Sequence, residues 1–304
     1  MSDYEEIVRA SQTEKIRAVS TGLPQLDRTI GGSAFGIPVA RMTLLTGPFS
    51  TGKTSLALFI VAQHQREGIE CLWVDTEGTF DKDHATMCGV DVDKLLIAKQ
   101  SSHAEKVLDT IENFFITTKN KLVVLDSYGG LSIRDEMEKD ASGADFGAKS
   151  KVFARFLRKV KTYMELNQSS LIVMGYEYVR MGAPGKILAG GDGMAKNPSL
   201  WIDLYKKPGV YLRSGDERVG EIIVATIKKT KLGGKKWAEC EIQFVFGKGW
   251  NPVSDILQDA LDKGVITRTG NTFYAFGEKI GTKAKMNEMM ENEEFITRVK
   301  EALV

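Results

Sequence analysis

This sequence predicts an α/β fold with a mostly parallel central sheet and a small mixed α+β C-terminal domain, and three observations carry that reading. Apolar runs alternate with helical patterns between residues 42 and 176, the order that a parallel sheet covered by helices produces. The stretch Gly47-Pro48-Phe49-Ser50-Thr51-Gly52-Lys53-Thr54 has the spacing GxxxxGK[ST] and lies between the apolar run Met42 to Thr46 and the helical run Ser55 to Gln65. After residue 200 the pattern turns to alternating strands, and beyond Gly247-Lys248-Gly249 a short helix, a hairpin and two further helices follow.

At 304 residues the chain can bury a large core and hold one substantial domain plus a small one. Lys and Arg number 41 against 40 Asp and Glu, so no global basic field announces nucleic acid, although a local patch stays open. Cys71, Cys88 and Cys240 lie in or beside apolar segments without close pairing. They read as buried free thiols of a reducing compartment, not as a disulfide framework or metal site. No apolar run reaches the ~18 residues of a membrane span, and the acidic, polar N-terminus does not resemble a signal peptide, so a cytoplasmic location is expected.

In chain order, Asp3 to Arg17 reads as a short, modestly amphipathic helix. Val19 to Asp27 gives a turn and a helix ending near Gly31-Gly32, with a second turn at Gly36-Ile37-Pro38. Met42 to Thr46 is the first core strand, apolar throughout because both faces are buried. Glu70 to Asp75 is the next, ending in the acidic stretch Asp75-Thr76-Glu77-Gly78-Thr79-Phe80-Asp81, at the strand end where open sheets place their sites. Leu95 to Ala98 and Lys121 to Ser127 read as further strands, with a helix at Ala104 to Thr118 between them. Glu136 to Gly147 lacks periodicity and is expected to be a flexible loop, and Ala148 to Asn167 is a long amphipathic helix. Ser170 to Tyr176 is a buried strand followed by a glycine-rich loop, Arg180 to Ser199. Leu200 to Tyr205, Val210 to Leu212, Glu221 to Lys228 and Lys236 to Phe246 complete the strands. Pro252 to Lys263, Val265 to Phe276 with its Gly270-Asn271 turn, Lys283 to Met290 and Glu293 to Leu303 make the terminal unit.

The chemistry begins at Gly47 to Thr54. Backbone N–H groups of such a loop and of the helix after it face phosphates, Lys53 can reach the β and γ oxygens, and the Thr54 hydroxyl can ligate Mg²⁺. Asp126, closing an apolar strand, suits the acid beside such a metal. Glu77 is the candidate general base that orients or deprotonates a water, where the bland alternative is a solvated carboxylate. Asp81 shares its surroundings, and His84 suits either an adenine face or a half-buried surface. Arg180, Lys186, Gly190, Gly191 and Lys196 offer mobile backbone and cations to a phosphodiester chain, with an ordinary surface loop as the alternative. Lys228 to Lys236 carries five lysines and no acid, suited to a solvated face, to DNA or to a neighbour's nucleotide. Tyr176 and Glu177 end a core strand and could couple a nucleotide to the loop that follows, although packing alone also explains a tyrosine there.

Taken together, VSTGLPQLDRTIGG, GPFSTGKT, VDTEGTFD, GVDVDKLL, LVVLDS, AGGDG, KKTKLGG and GEKIGTKAKMNEMM stand in an order that resembles the RecA family of recombinases over nearly the whole chain, in its bacterial and phage form. The resemblance implies a P-loop NTPase core over residues 21–249, a short N-terminal docking segment over 1–20 and a small domain over 250–304. It implies ATP and Mg²⁺ as ligands: Gly47 to Thr54 with Ser55 on the phosphates, Thr54 and Asp126 at the metal, Asp81 and His84 on adenine, and Glu77 with Lys53 in catalysis. Lys229 and Lys231 resemble the pair that reaches a neighbouring subunit's γ-phosphate, so hydrolysis would depend on assembly. Residues 138–147 and 180–199 would be the DNA-binding loops. A helical homo-oligomer on single-stranded DNA, pairing it with duplex DNA by strand exchange, is the implied activity, with single-strand-binding and mediator proteins as further partners and no membrane. The alternatives are a RecA-like assembly without productive exchange and a ring-forming motor, the latter not expected to carry this terminal unit. The family places Asn-Gln where this chain has Gly175-Tyr176-Glu177. Tyr176 and Glu177 are therefore the candidate sensor, and a carboxylate there repels a triphosphate unless it is protonated or bridged by metal. That departure and the short ends lean toward a phage-encoded protein in a bacterial host's cytoplasm.

Overall fold

The computed structural model describes residues 9, 11, 15–99, 103–117, 119–132, 148–179 and 186–303. The N-terminal helix expected over Asp3 to Arg17 and the loop Glu138 to Gly147 lie largely or wholly outside them. A two-stranded pair, β1 (Ala18–Val19) and β2 (Ile37–Pro38), flanks α1 (Pro24–Ile30), which Pro24 opens. The first parallel units follow: β3 (Met42–Thr46), α2 (Lys53–Arg66), β4 (Glu70–Asp75), α3 (Lys82–Met87), β5 (Leu96–Lys99), α4 (Ala104–Thr117), β6 (Lys121–Asp126), α5 (Ala148–Leu166) and β7 (Ser170–Met174). Then come a hairpin of β8 (Glu177–Val179) with β9 (Lys186–Leu188), the short α6 (Gly191–Lys196), and β10 (Leu200–Ser214), β11 (Glu217–Thr230), β12 (Glu239–Val245) and β13 (Gly249–Trp250). The C-terminal part holds α7 (Pro252–Asp262), β14 (Ile266–Thr269), β15 (Thr272–Ala275), β16 (Glu278–Gly281), α8 (Lys283–Met290) and α9 (Glu293–Leu303).

Nine strands form one sheet in the order β13-β12-β11-β10-β3-β7-β6-β4-β5. Strands β10, β3, β7, β6, β4 and β5 run parallel, and β11, β12 and β13 are added antiparallel, so the sheet is mostly parallel as expected. The central parallel strands β3, β4, β6 and β7 are mostly apolar and buried because alternate residues enter two different cores. Cys71 and Trp73 of β4 and Leu122 and Val124 of β6 pack on the face covered by α2. Leu72, Val74, Val123 and Leu125 point the other way, onto α4 and α5. A third cluster around Ile256, Phe273 and Met286 belongs to the C-terminal elements.

The structure corrects four expectations. The strand from Ser170 stops at Met174: Gly175 N still donates to the Leu45 carbonyl of β3 at 2.9 Å, and the chain then turns into the β8–β9 hairpin at Glu177. The supposed loop from Arg180 to Ser199 contains β9 and α6; Leu188, Ala189 and Met194 are buried, but one helical turn among glycines is too short to show a period. Residues 200–205 and 210–212 are one strand, interrupted in sequence by Pro208-Gly209 and in pairing by an irregularity between Lys206 and Tyr211. Finally, Gly249 and Trp250 still pair with β12, so the sheet runs past the Gly247–Gly249 boundary.

Helix α1 is tied to α7 by polar contacts. The Gln25 amide donates to Asp255 Oδ2 at 2.7 Å, Gln25 Nε2 donates to Asp262 Oδ2 at 2.9 Å, and Arg28 pairs with Asp259. Burial pushes the Asp255 carboxyl up to about 7, and the Asp27 charge adds to this while the Gln25 N–H and Arg28 oppose it. In the unfolded chain this group ionises near 3.8, so between the two values the native state holds the extra proton and stability falls as pH rises. Asp255→Asn, which can still accept from Gln25, should therefore gain about 1–3 kcal/mol at pH 8 and nothing at pH 4. Thermal melts at the two pH values check this, and an equal shift at both would refute it.

Candidate active site

Strand β3 ends against β10, and the turn into α2 is shaped by two glycines that nothing else can replace. Gly47 has φ 148°, and a Cβ there would stand 2.3 Å from the Leu204 carbonyl oxygen. Gly52 has φ 81° and would bring a Cβ to 3.0 Å from the Trp250 ring. Between them Thr51 Oγ1 donates to the Pro48 carbonyl at 2.9 Å, and Lys53 Nζ donates to the carbonyls of Gly47 and Pro48 at 2.9 and 2.8 Å. Helix α2 starts at Lys53, so its unpaired N-terminal N–H groups belong to the same loop as the lysine, an arrangement suited to an anion. Phe49 at the tip is 92% exposed.

Residues 47–55 line a cavity of about 570 Å³ together with Glu77, Asp126, Ser127 and residues 174–177. Asp75 builds the wall that carries Glu77: its Oδ1 accepts from the amides of Glu77, Gly78 and Thr79 at 3.2, 2.8 and 3.2 Å, and its Oδ2 from Phe80 at 3.0 Å. Ser127 Oγ then donates to Glu77 Oε1, and Thr76 Oγ1 joins this wall to the carbonyl of Ser127 at 2.8 Å. Thr54 Oγ1 donates to Asp126 Oδ2 at 3.3 Å. Burial first, and then the Glu77 charge, push the Asp126 carboxyl up to about 7. A buried carboxylate crowded by a second one beside a threonine hydroxyl fits a hard divalent cation, which would neutralise it. No group of three or more His, Cys, Asp or Glu that could hold a metal exists among the described residues, so further ligands would have to come from phosphate or water. Burial lowers the Lys53 pKa, while Asp126, Glu77 and Asp203 raise it.

Glu177, expected to repel a triphosphate unless protonated or bridged by metal, has a different answer in the structure. Lys228 Nζ lies 2.7 Å from Glu177 Oε2 and 3.1 Å from Asp203 Oδ2. Asp203 Oδ1 accepts from Thr46 Oγ1, which in turn accepts from Trp201 Nε1 at 2.7 Å. From the sequence, Asp75, Ser127 and Lys228 stand only as members of longer stretches, with no role of their own, and Asp203 does not stand out at all. Ser127 and Asp75 stand at strand ends beside candidates already chosen, which was a usable signal, whereas nothing local connects Lys228 to residues 177 and 203.

Of the remaining candidates, Tyr176 lines the cavity and the other described ones do not. Asp81 caps α3 by accepting from the His84 amide at 2.6 Å, and His84 Nε2 lies 2.9 Å from Ser55 Oγ in the first turn of α2. Lys229 Nζ donates to the carbonyls of Ala195 and Lys196 at 2.7 and 2.8 Å, and Lys231 Nζ to that of Lys196 at 3.3 Å, holding the C-terminal end of α6. Burial and the neighbouring Lys231 lower Lys229 to about 8. Tyr176 is 41% exposed and packs over Gly129. Lys186 opens β9, Gly190 and Gly191 begin α6 and Lys196 ends it, and Arg180 is outside the described residues.

The family model for the RecA N-terminal domain matches residues 5–251. Protein RecA of Sulfurovum sp. (strain NBC37-1) is 29% identical over 301 residues, covering 95% of this chain and 85% of the relative. Protein RecA of Deinococcus radiodurans is 31% identical over 270 residues, covering 88% and 73%, and that of Aquifex pyrophilus 29% over 275 residues, covering 90% and 77%.

The clash with the Leu204 carbonyl at Gly47 sets a test of the cavity. Gly47→Ala should weaken binding of a fluorescent ATP analogue at least about tenfold, since the carbonyl it meets is backbone and cannot turn aside. Gly68→Ala, at φ 72° with open space around it, should cost about 1 kcal/mol of stability and leave that affinity unchanged. Equal effects of the two substitutions on affinity would remove the loop from nucleotide binding.

Proposed function

Starting from the fact that this chain belongs to the RecA family of recombinases, we propose that it is a DNA-dependent ATPase that assembles as a helical filament on single-stranded DNA and carries out homologous pairing and strand exchange. The observation that carries this reading is that Lys53, Thr54, Glu77 and Asp126 line one cavity while Lys229 and Lys231 lie outside it. A cation needed on the transferring phosphoryl group would then come from a neighbouring copy, which makes turnover depend on assembly.

In this reading the 47–54 loop and Lys53 hold the β and γ phosphates of ATP, with Asp81 and His84 toward the adenine. Thr54 and Asp126 would hold Mg²⁺, which supplies charge neutralisation at the phosphates. Glu77, fixed by Asp75 below and Ser127 beside it, orients the attacking water and takes its proton. Residues 138–147 and the segment with Arg180, Lys186, Gly190, Gly191 and Lys196 contact single-stranded and then duplex DNA through phosphates, so binding is insensitive to base sequence. Single-strand-binding and mediator proteins are the expected further partners, and the cytoplasm the place of action. Among the described residues no helix is long and apolar enough to cross a membrane.

ATP turnover measured with and without single-stranded DNA tests the proposal. A rise of at least about tenfold is expected, and Lys229→Ala or Lys231→Ala should abolish the rise while the ATP analogue still binds. Electron microscopy with DNA and a non-hydrolysable analogue should show open helical filaments. Turnover indifferent to DNA, or closed rings on it, would sink the reading.

A further inference from the structure

The cation nearest the far wall of the cavity comes from the sheet, and the backbone is deformed to deliver it. In the β10–β11 pairing Trp201 stands opposite Lys229 and Ile202 opposite Ile227, so Lys228 is the extra residue of a β-bulge. Bulges re-aim a side chain next to functional sites. Here the bulge splits the lysine run: Lys229 and Lys231 turn to the α6 carbonyls, and Lys228 turns to Glu177 and Asp203. The three groups are mostly withdrawn from water, with side-chain exposures of 17% for Lys228 and 13% for each carboxylate. Packing alone does not call for this, since apolar residues of similar volume fill such a position at least as well.

Charge accounts for it. Lys53, Glu77, Asp126 and Glu177 line the cavity, and Lys228 and Asp203 stand behind Glu177, so the six groups hold an excess of two carboxylates over cations. A triphosphate brings several more negative charges into the same low-dielectric space. Glu177 is itself a wall residue, held there because Gly175 N donates to the Leu45 carbonyl at 2.9 Å and Glu177 opens β8.

We propose that Lys228 is a positioning residue for the nucleotide site: as the bulge-delivered counter-charge of Glu177, it makes the cavity wall tolerant of a triphosphate. This rests on the reading of the cavity as an ATP site. Lys228 acts through Glu177 and not by touching the phosphates, so removing both partners restores what removing the lysine alone destroys. Without Lys228 the carboxylate excess is three, and without Lys228 and Glu177 together it is again two.

Equilibrium binding of a fluorescent non-hydrolysable ATP analogue with Mg²⁺ to the full chain tests this. Lys228→Met should weaken binding about tenfold, Lys228→Arg should stay near wild type, and the pair Lys228→Met with Glu177→Gln should return to within about threefold of it. Glu177→Gln alone, which leaves the lysine in place, should bind a few-fold more tightly and tests the idea even if Lys228→Met fails to fold. Unchanged affinity in a folded Lys228→Met protein, a double variant as weak as Lys228→Met, or weaker binding by Glu177→Gln would each overturn the role of Lys228. A wild-type protein that does not bind the analogue would instead overturn the ATP reading itself, so the two failures are told apart.

Discussion

Carboxylates are concentrated where a parallel sheet ends, and much of the site is arranged to make that concentration tolerable. Asp75 and Asp126 close neighbouring strands, β4 and β6, whose last residues stand side by side in register. Each carboxylate is satisfied by a different device. Asp75 takes four loop amides, Asp126 keeps a high proton affinity beside the Thr54 hydroxyl, and Glu77 takes the Ser127 hydroxyl. Glu177 and Asp203 share one ammonium group. A buried charge is costly unless paired or hydrogen-bonded, so these partners are conditions for the strand ends to exist in this form and not additions to it.

What the sequence made legible follows from this. The 47–54 loop, Asp126 and Glu77 are local patterns: fixed residue types next to a mostly apolar strand, readable because the interiors of β3, β4 and β6 are buried on both faces. Helices α4 and α5 were readable for the complementary reason, since each is covered on one face only and keeps a helical period. The β8–β9 hairpin and α6 were not, because a three-residue strand and a six-residue helix are shorter than the window in which a period can be counted. Asp203 and Lys228 escaped for another reason. Their meaning lies in a long-range juxtaposition with Glu177, and in a bulge that no residue type announces.

The lysine run illustrates how little composition decides. Five lysines in nine residues suit a solvated face, yet the backbone sends Lys228 toward the cavity and Lys229 and Lys231 toward a helix end. Burial lowers Lys229 to about 8, a response expected of an ammonium group partly withdrawn from water and set beside another. Both sets of contacts anchor β11 to the segment between β7 and β10, one at its start and one at its end.

That double anchoring gives the segment a defined mechanical position. From the cavity wall the chain passes through Glu177 into β8, returns by β9, enters α6 and reaches the carbonyls of Ala195 and Lys196, where Lys229 and Lys231 hold it. Of the residues read as DNA contacts, Arg180, Lys186, Gly190 and Gly191 lie between these two anchors in the sequence, and Lys196 is part of the second. If the lysines serve a neighbour's nucleotide, drawing their ammonium groups toward its phosphate competes with their hold on α6. On the proposed reading, a nucleotide in the chain's own cavity would bear on the other anchor through Glu177. Coupling between DNA and two successive nucleotide sites, as proposed, would then need no relay of side chains across the core. It would follow from one segment being fastened at both ends by lysines, Lys228 at the cavity wall and Lys229 and Lys231 at the end of α6.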